Sequence, residues 1–590
     1  MLKVVKRDGS IEDFNVQKVV NAVQKAFASV GCELPEYLST MIPALFEEGD
    51  VIGVEDIQDR VEQLLMNDKH FKAAKSYILY REKHKQARFI RERIDYMSNY
   101  ADSDDNAASS SETDPNANVT QKNVANLDGE VYKVENRIIQ RQRMKDELSV
   151  LYPEVAKQYE VDVENHIIYP HDEASVPTLK FYCQADTLYP LMTEGVGNID
   201  GITPSAPNDL QSFSGQITNL IFLLSSQCKG AVAIGEYFIA LNYYIVQEFG
   251  TNWYEKLDVV TTTEHCSKQR TIRDAIYKAF KQFIYGVNQP AGNRSYQSPF
   301  TNVSYYDHTY FDSLFGEFYY PDGTKPQWEA VDCLQRLFMK FFNKLRTKQI
   351  LTFPVETMAM VYDPKTNDII DKDYKDFTAE MYAEGHSFFT YISDSADSLA
   401  SCCRLRNELA ENTFNPTSGL TGVMTGSCNV ITLNISRIVQ NWYNMMDSHN
   451  EGWNKQRARE SYPDLIDYIR EEGGILDRVY KYHIAYKTML YEQEEKGMFA
   501  ACNGGYIHMN KLYSTIGING LNEAARFLGL KVSNNPEYIK FLQLILGTIK
   551  EENKKHSIHD SKRPFLFNSE VVPAESLGGK NYRWDKEDLS

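Results

Sequence analysis

The first hundred residues show a brief strand-like alternation followed by three helical patterns. Residues 4–10 alternate and then turn at Asp8-Gly9, a strong hairpin signal, and residues 11–14 can supply the returning strand. Asn15 is a suitable N-cap for a helix over residues 16–30, and further helical patterns cover residues 54–66 and 70–84. The pattern predicts a small, mostly helical domain with an N-terminal β-hairpin.

A polar stretch separates this domain from the rest of the chain. Residues 101–121 contain no large apolar side chain except Val119 and are rich in Ser, Asp and Asn. That composition is typical of a mobile connector. We therefore place a first domain at residues 1–95, a flexible linker at 96–121 and a core domain at 122–590.

The core domain alternates helical and strand-like segments without a detectable repeat. Helical patterns cover residues 139–152 and most of 208–247, whereas residues 180–183, 349–354 and the β-branched run 430–432 predict strands. Strands that alternate with helices over so long a segment predict an α/β fold. Periodicity alone does not choose between an open sheet and a closed barrel.

Composition narrows the function classes. The 590 residues are 42% hydrophobic, enough for a large core, and their formal net charge of −18 argues against general nucleic-acid binding. The nine cysteines are odd in number and include no Cys-x-x-Cys pair, which favours a reducing compartment and gives no support for a zinc ribbon. With no signal peptide and no apolar run near membrane length, we expect a cytoplasmic protein without a membrane span. The histidine spacing predicts no metal site.

Two adjacent cysteines, Cys402 and Cys403, stand in a polar segment that lacks helical or strand periodicity. The segment, residues 393–415, therefore predicts a loop, and the strand pattern at 430–432 follows it. A free cysteine is most often a small buried hydrophobe. Packing therefore competes with redox chemistry as the explanation of this pair.

Five segments of the core domain resemble, in the same order, those of the anaerobic (class III) ribonucleotide reductases, which are glycyl-radical enzymes. The resemblance implies the ten-stranded α/β barrel of these enzymes, with the Cys403 loop threaded through its centre. The segments are QSPFTN at 297–302, LTFP at 351–354, SCCRL at 401–405 with TLN at 432–434, residues 513–523, and PAESLG at 573–578.

The same resemblance implies roles for four residues. In this family the cysteine before the arginine carries a transient thiyl radical, and that position is Cys403. Cys183 matches the second cysteine that assists reduction in formate-dependent members, and a buried strand cysteine is an equal explanation. Cys402 is a second redox thiol or a packing residue, because neighbours in an extended segment point apart. Glu523 is a polar group near the substrate or a charge at a helix N-terminus.

The N-terminal domain resembles the ATP-cone, a module that senses ATP against dATP in ribonucleotide reductases. The resemblance covers about 90 residues, and it implies that ATP or dATP binds as an allosteric effector. By residue type alone, these cations and turn N–H groups are either a phosphate site or solvated surface charges. The residues matched are Lys6, Arg7, Asp8, Gly9, Lys18 and Lys83.

Together the resemblances imply an anaerobic ribonucleoside-triphosphate reductase regulated by ATP and dATP. They imply a ribonucleoside triphosphate substrate, formate as the reductant, a radical-SAM activase as partner, and a homodimer or larger dATP-induced oligomer. The family also carries a zinc site and a glycyl-radical loop after the position of Lys586, and neither is in these 590 residues. Truncation, omission and supply by a separate polypeptide all remain open.

Three other functions compete with this one. The chain is alternatively a catalytically silent nucleotide-sensing protein on a reductase scaffold, or half of a split reductase that needs a separate glycyl-radical chain. A glycyl-radical enzyme with a different substrate is the third alternative, which the ATP-cone resemblance disfavours.

Overall fold

A computed structural model describes residues 2–6, 10–46, 51–102, 124–196, 205–263, 266–291, 297–396, 414–415, 419–420, 423–571 and 577–588. The chain divides into two compact units, Met1–Asn106 and Ala107–Ser590. The elements of the first unit are β1 (Lys3–Val5), β2 (Ile11–Asp13), α1 (Val16–Ser29), α2 (Glu36–Ala44), β3 (Val51–Gly53), α3 (Val54–Asn67) and α4 (Phe71–Asp102).

The second unit contains many more elements. From its start to the region of Cys403 they are α5 (Val124–Val131), α6 (Lys133–Leu151), α7 (Gln158–Glu164), β4 (Ile168–Pro170), β5 (Cys183–Ala185), α8 (Tyr189–Glu194), α9 (Leu210–Ser225), β6 (Val232–Ala233), α10 (Tyr237–Phe249), a 3-10 helix (Trp253–Lys256), β7 (Val260–Thr263), β8 (Cys266–Thr271), α11 (Ile272–Val287), β9 (Thr301–Tyr306), α12 (His308–Phe315), α13 (Trp328–Arg346), β10 (Val355–Asp363), β11 (Asp368–Ile369), α14 (Lys372–Ala383) and β12 (Phe389–Ser393).

From there to the C-terminus they are β13 (Phe414–Asn415), β14 (Gly419–Leu420), β15 (Thr425–Asn434), α15 (Ile435–His449), α16 (Lys455–Glu460), α17 (Tyr462–Arg470), α18 (Ile475–Glu495), α19 (Ala500–Asn503), a 3-10 helix (Met509–Lys511), β16 (Leu512–Asn519), α20 (Leu521–Phe527), α21 (Pro536–His556), β17 (Leu566–Val571) and α22 (Leu577–Asp588).

The first unit is a three-stranded sheet covered by helices. β1 lies in the middle, antiparallel to β2 and parallel to β3. Asn15 is the N-cap of α1, and its side chain accepts a hydrogen bond of 3.0 Å from the Gln17 N–H. Val23 and Phe27 of α1 lie in a core separate from that of the second unit. The predicted hairpin and helices are therefore present, whereas the pairing of β1 with β3 was not predicted.

The second unit is organised by one sheet of ten strands. Their hydrogen-bonded order is β11-β10-β9-β6-β5-β15-β16-β17, with β12 on β10 and β4 on β15. Strands β5, β6, β9, β10 and β12 are parallel to one another, and β15, β16 and β17 form a second parallel group. The two groups meet at the antiparallel pairing of β5 with β15. The predicted α/β fold with ten strands is confirmed.

Closure of this sheet into a barrel stays a prediction. Among the strands that the structure describes, no pairing joins β17 to β12 at the other end of the sheet.

The two faces of this sheet differ in chemistry. Ile431, Ile516 and Phe567 belong to the main hydrophobic core, which they share with the surrounding helices. Side chains alternate along a strand, so their neighbours Thr432, Thr515 and Asn568 point to the opposite face. We call this opposite face the polar face. It also carries Cys183, Ala185, Ala233, Asn302, Ser304 and Ser427, as the register of the strands requires.

One predicted strand is wrong, whereas the division into domains stays a prediction. Helix α4 continues to Asp102 and therefore crosses residue 95, at which the first domain was predicted to end. Residues 85–96 contain no Gly or Pro to end the helix, although their apolar periodicity is weak. The strand predicted at 349–354 is irregular, and β10 begins only at Val355. Pro354 has no N–H to donate to a strand ladder, which explains the later start.

A candidate active site on the polar face

Cys183 is the first residue of β5 and is only 1% exposed. Together with Ala231 it forms a small buried cluster outside the main core, against which Tyr182 and Phe300 pack. The Ala231 N–H donates a hydrogen bond of 3.3 Å to Cys183 Sγ. Cys183 therefore lies on the polar face, with its sulfur oriented by a backbone amide.

Ser427 of β15 is the strand partner of Cys183 where the two parallel groups meet. Side chains of directly paired residues share a face, and their Cβ atoms lie about 4.5–5.5 Å apart. The backbones also approach closely at the next pair, because a Cβ atom on Gly426 would overlap the Cys183 carbonyl oxygen. The strand that follows the two-cysteine segment thus passes directly beside Cys183.

A row of polar groups extends from Ser427 across the neighbouring strands. The Ser427 and Thr515 hydroxyl oxygens lie 2.8 Å apart, and the Thr515 hydroxyl lies 2.9 Å from Asn568 Oδ1. Thr515 belongs to β16 and Asn568 to β17, in register with each other. This row was missed from the sequence, although the alternation of Ser, Thr and Asn with large apolar residues in these strands was a signal for it.

His171 brings an imidazole to the same face. His171 Nε2 lies 2.7 Å from Thr432 Oγ1, and the His171 N–H donates to the Val430 carbonyl at 3.0 Å. Burial lowers the pKa of His171 to about 4, because a charged imidazole would lose its hydration there. His171 is therefore neutral near pH 7 and can accept or donate one hydrogen bond at each ring nitrogen.

Helices α15 and α20 begin at the carboxyl ends of β15 and β16, and α22 contacts the same edge of the sheet. Asn434 caps α15 by accepting from the Arg437 N–H at 3.2 Å, and Asn519 at the end of β16 accepts from Asn581 at 3.3 Å. Lys580 of α22 donates to the Tyr169 hydroxyl at 3.1 Å. In α/β sheets such carboxyl edges are where ligands bind.

The other predicted site residues of the core domain are Glu523, Cys402 and Cys403, and Cys428 is a further cysteine, in β15. Glu523 is exposed in the first turn of α20, at the carboxyl edge of β16. Cys402 and Cys403 lie outside the described residues. Cys428 points into the main core, where burial raises the pKa of its thiol to about 11.

The predicted effector residues lie in the first unit. Lys6 is half-buried and pairs with Glu12 at 2.8 Å. Lys18 on α1 and Lys83 on α4 are exposed. Arg7, Asp8 and Gly9 of the turn lie outside the described residues.

Neither a metal cluster nor a membrane span is found in the part of the chain that the structure describes. No group of three or more His, Cys, Asp or Glu side chains there is arranged to hold a metal ion. None of the described helices combines the length and apolarity needed to cross a bilayer.

Family models match both units of the chain. The model described as anaerobic ribonucleoside-triphosphate reductase matches residues 123–590, and the model described as ATP cone domain matches residues 2–86. Together they leave Met1 and residues 87–122 unmatched.

Solved structures support the same fold. The anaerobic ribonucleotide reductase from Thermotoga maritima, in complex with dATP and CTP, is 25% identical at a TM-score of 0.63. The alignment covers 79% of this chain and 71% of that chain. Another structure described as an anaerobic ribonucleotide reductase, 24% identical, aligns at a TM-score of 0.65 over 85% of this chain and 72% of its own.

Curated relatives match over a short segment. The vitamin B12-dependent ribonucleoside-diphosphate reductase of Thermoplasma acidophilum is 40% identical over 103 residues, which are 16% of this chain and 13% of that protein. The ribonucleoside-diphosphate reductase subunit alpha of Chlamydia trachomatis is 36% identical over 106 residues, 15% of this chain and 10% of its own length. The chain thus spans only a small part of these curated relatives.

Proposed function

Because the chain belongs to the anaerobic ribonucleoside-triphosphate reductase family, we propose that it reduces ribonucleoside triphosphates to 2′-deoxyribonucleotides by thiyl-radical chemistry. The observation that carries the proposal is the position of Cys183. A buried thiol lies on the polar face, paired in register with the strand that follows the Cys402-Cys403 segment. A thiol at the pairing of β5 with β15 is suited to act together with a radical at Cys403.

The chemistry explains why cysteines are needed. The 2′ carbon of ribose is too weakly electrophilic for simple displacement of its hydroxyl. A thiyl radical at Cys403 abstracts the 3′ hydrogen, and the resulting carbon radical expels the protonated 2′ hydroxyl as water. Two electrons and two protons then complete the exchange of C–OH for C–H, and the 3′ hydrogen returns from Cys403. Exclusion of water and oxygen protects the radical steps.

We assign Cys183 to the reduction step, with formate as the electron donor. Formate supplies two electrons and one proton when it becomes carbon dioxide, so formate and one further proton balance the reaction. Cys402 is assigned as an accessory thiol beside Cys403. The substrate triphosphate is assigned to the carboxyl edge of β15, β16 and β17, near Lys580 and Glu523, because that edge gathers helix N-termini and a cation.

Regulation is assigned to the first unit, whose residues match the ATP cone domain. ATP and dATP bind there as effectors through Lys6, Arg7, Asp8, Gly9, Lys18 and Lys83. A radical-SAM activase installs the glycyl radical that the family uses, and the working enzyme is a homodimer or a larger dATP-induced oligomer. We assign no role to zinc, which the family also uses, because the described residues offer no cluster of ligands for it.

Anaerobic turnover of the activated enzyme tests the proposal. Deoxynucleotide formation from a ribonucleoside triphosphate and formate is expected for the wild type, and Cys403→Ala and Cys183→Ala should abolish it while ATP binding persists. Cys32→Ala, which changes an exposed cysteine of the first unit, is the matched control and should turn over normally. Turnover by Cys403→Ala would refute the radical assignment.

A further inference from the structure

The imidazole of His171 is held through one ring nitrogen, and its other ring nitrogen is open. His171 Nε2 lies 2.7 Å from Thr432 Oγ1, whereas Nδ1 has no hydrogen-bond partner among the residues that the structure describes. His171 is 8% exposed and Thr432 is 1% exposed. Unlike both ring nitrogens of His483, Nδ1 of His171 is not completely enclosed. A small ligand on the polar face can therefore reach it.

The contact between His171 and Thr432 needs only one of the two protons that the pair carries. The hydroxyl supplies one proton and the neutral imidazole supplies the other. Thr432 has no second side-chain partner in the described part of the chain, so donation by Nε2 would leave the hydroxyl proton buried without an acceptor. Donation by Thr432 places the remaining proton on Nδ1, which is accessible. The second arrangement is favoured, because a buried donor without an acceptor destabilises the folded state.

His171 lies between the edge assigned to the triphosphate and the thiol assigned to reduction. Lys580 donates to the Tyr169 hydroxyl at 3.1 Å, and the centroids of the Tyr169 and His171 rings are 5.0 Å apart. The His171 ring centroid also lies 5.9 Å from that of Tyr182, which packs against the buried cluster that contains Cys183. The contacts therefore lead in order from Lys580 through His171 to Cys183.

We propose that the Nδ1–H of His171 binds the carboxylate of formate, and that Thr432 is a positioning residue that acts through the imidazole. Formate as the ligand rests on the proposed function. A carboxylate is a strong acceptor for an N–H donor, and at Nδ1 it lies on the face that carries Cys183. The nucleotide phosphates, the other anions of the reaction, are assigned to the edge beside Lys580. Oxidation of the bound formate to carbon dioxide releases the two electrons and one proton that the reduction requires.

Formate binding to the full chain tests this without any need for turnover. Saturation-transfer NMR follows the formate proton during a titration with CTP and ATP present at saturation. The wild type should bind formate, and His171→Phe, which keeps a ring without a donor, should weaken binding by about tenfold or more, the effect of one hydrogen bond to a charged group. His171→Asn keeps an N–H donor and should restore most of the affinity. Equal formate affinity in the wild type and His171→Phe would overturn the proposal.

Matched variants separate the hydrogen bonds from general effects of substitution. Thr432→Val removes the hydroxyl that holds Nε2 and should weaken formate binding, whereas Thr432→Ser should preserve it. Thr548→Val is the control for Thr432, because the Thr548 hydroxyl is bonded within α21. His308→Phe is the control for His171, because His308 is exposed on α12 and stacks on Trp328. Both controls should bind formate as the wild type does, and a loss as large as that of His171→Phe would overturn the proposal.

The Michaelis constants of the activated enzyme distinguish formate from the nucleotide as the ligand of His171. His171→Phe should raise the KM for formate by about tenfold or more and leave the KM for CTP unchanged. A merely structural role of His171 would change both constants or neither. A raised KM for CTP with an unchanged KM for formate would assign the nucleotide to His171 and overturn the proposal.

The outcome is distinguishable from failure of the proposed function. If formate binding is weakened in His171→Phe and restored in His171→Asn, the formate site stands even if the activated enzyme forms no deoxynucleotide. If deoxynucleotides form but His171→Phe has the wild-type KM for formate, the reductase proposal stands and the formate site falls.

Discussion

Gly230 lies so close to Cys183 that a Cβ atom at position 230 would be 2.7 Å from Cys183 Sγ and 2.8 Å from the Tyr182 carbonyl oxygen. The Gly230 N–H also donates to that carbonyl at 2.6 Å. The glycine therefore lets the backbone close over the thiol. Any larger residue must displace either the sulfur or the strand that carries it.

We predict that Gly230→Ala destabilises the protein by about 1–3 kcal/mol, the usual cost of overpacking a buried site. Chemical denaturation measures this. Turnover of the activated enzyme should also fall, because the Cys183 sulfur is displaced. Gly547→Ala is the control, since a Cβ atom at position 547 of α21 would meet nothing within 4 Å outside the backbone of its own helix; it should be neutral or stabilising. Equal effects of the two substitutions would contradict the prediction.

The buried ion pair between Arg478 and Asp162 ties α18 to α7. Arg478 donates two hydrogen bonds of 2.8 and 2.9 Å to the carboxylate, which also accepts from the Tyr482 hydroxyl at 2.8 Å. We predict that Arg478→Met costs about 3–5 kcal/mol of unfolding free energy, because it leaves a carboxylate buried without its cation. Denaturant titration provides the measurement.

An exposed pair supplies the control for this experiment. Arg470 and Asp467 lie 2.9 Å apart on the surface of α17. Arg470→Met should cost less than about 1 kcal/mol, as exposed pairs usually do. If Arg478→Met lowers the free energy of unfolding no more than Arg470→Met does, the folded state does not depend on Arg478 to stabilise the buried Asp162 carboxylate.

The buried carboxyl group of Glu356 should make the stability of the folded protein depend on pH. Burial raises the pKa of Glu356 to about 7, although Arg346 and the Tyr305 hydroxyl, at 2.7 and 2.5 Å, favour the carboxylate. The folded state therefore keeps a proton that the unfolded state has released between about pH 4.5 and 7. The contribution of Glu356 to stability should fall across this window by about 3 kcal/mol and then stay constant.

Thermal and chemical unfolding of the wild type and Glu356→Gln across pH 4–9 measures this contribution. The stability of the wild type relative to Glu356→Gln should decline as pH rises through the window. Tyr305→Phe removes a hydrogen bond that lowers the pKa of Glu356, so it should extend the decline to higher pH. A relative stability that is independent of pH would refute the raised pKa.

We predict that Lys18 of the first unit contributes to ATP binding. Loss of one charged phosphate contact costs about 1.5–3 kcal/mol, so Lys18→Ala should weaken ATP binding by about tenfold or more. Lys25→Ala is the matched control, because both lysines are exposed on the same face of α1, about 10 Å apart along the helix. Titration of ATP onto the full chain measures both. An equal loss for the two variants would indicate a general charge effect.

Much of the architecture could be predicted from local patterns. The Asn15 cap and the 3.6-residue periodicity that includes Val23 and Phe27 predicted α1 almost to the residue. The β-branched run at 430–432 lies within β15. These features depend on contacts between residues near one another in sequence, so the order of residues carries the information.

Local sequence patterns gave the wrong bounds for helix α4 and strand β10. The later part of α4 has little apolar periodicity, because most of its side chains are exposed. The short β6, of two residues, left no pattern at all. Such elements are stabilised by hydrogen bonds to distant strands or by helix propensity, and apolar periodicity detects neither.

The sequence by itself predicted the α/β class from local periodicity, and its resemblance to a known family implied the family, the ten strands and the candidate thiols. Only the tertiary structure decided that Cys183 faces Ser427 and that Ser427, Thr515 and Asn568 form one row. Those residues are separated by dozens to hundreds of positions in the chain, and the register of strand pairing brings them together. A shift of one residue in that register would turn each side chain to the other face of the sheet.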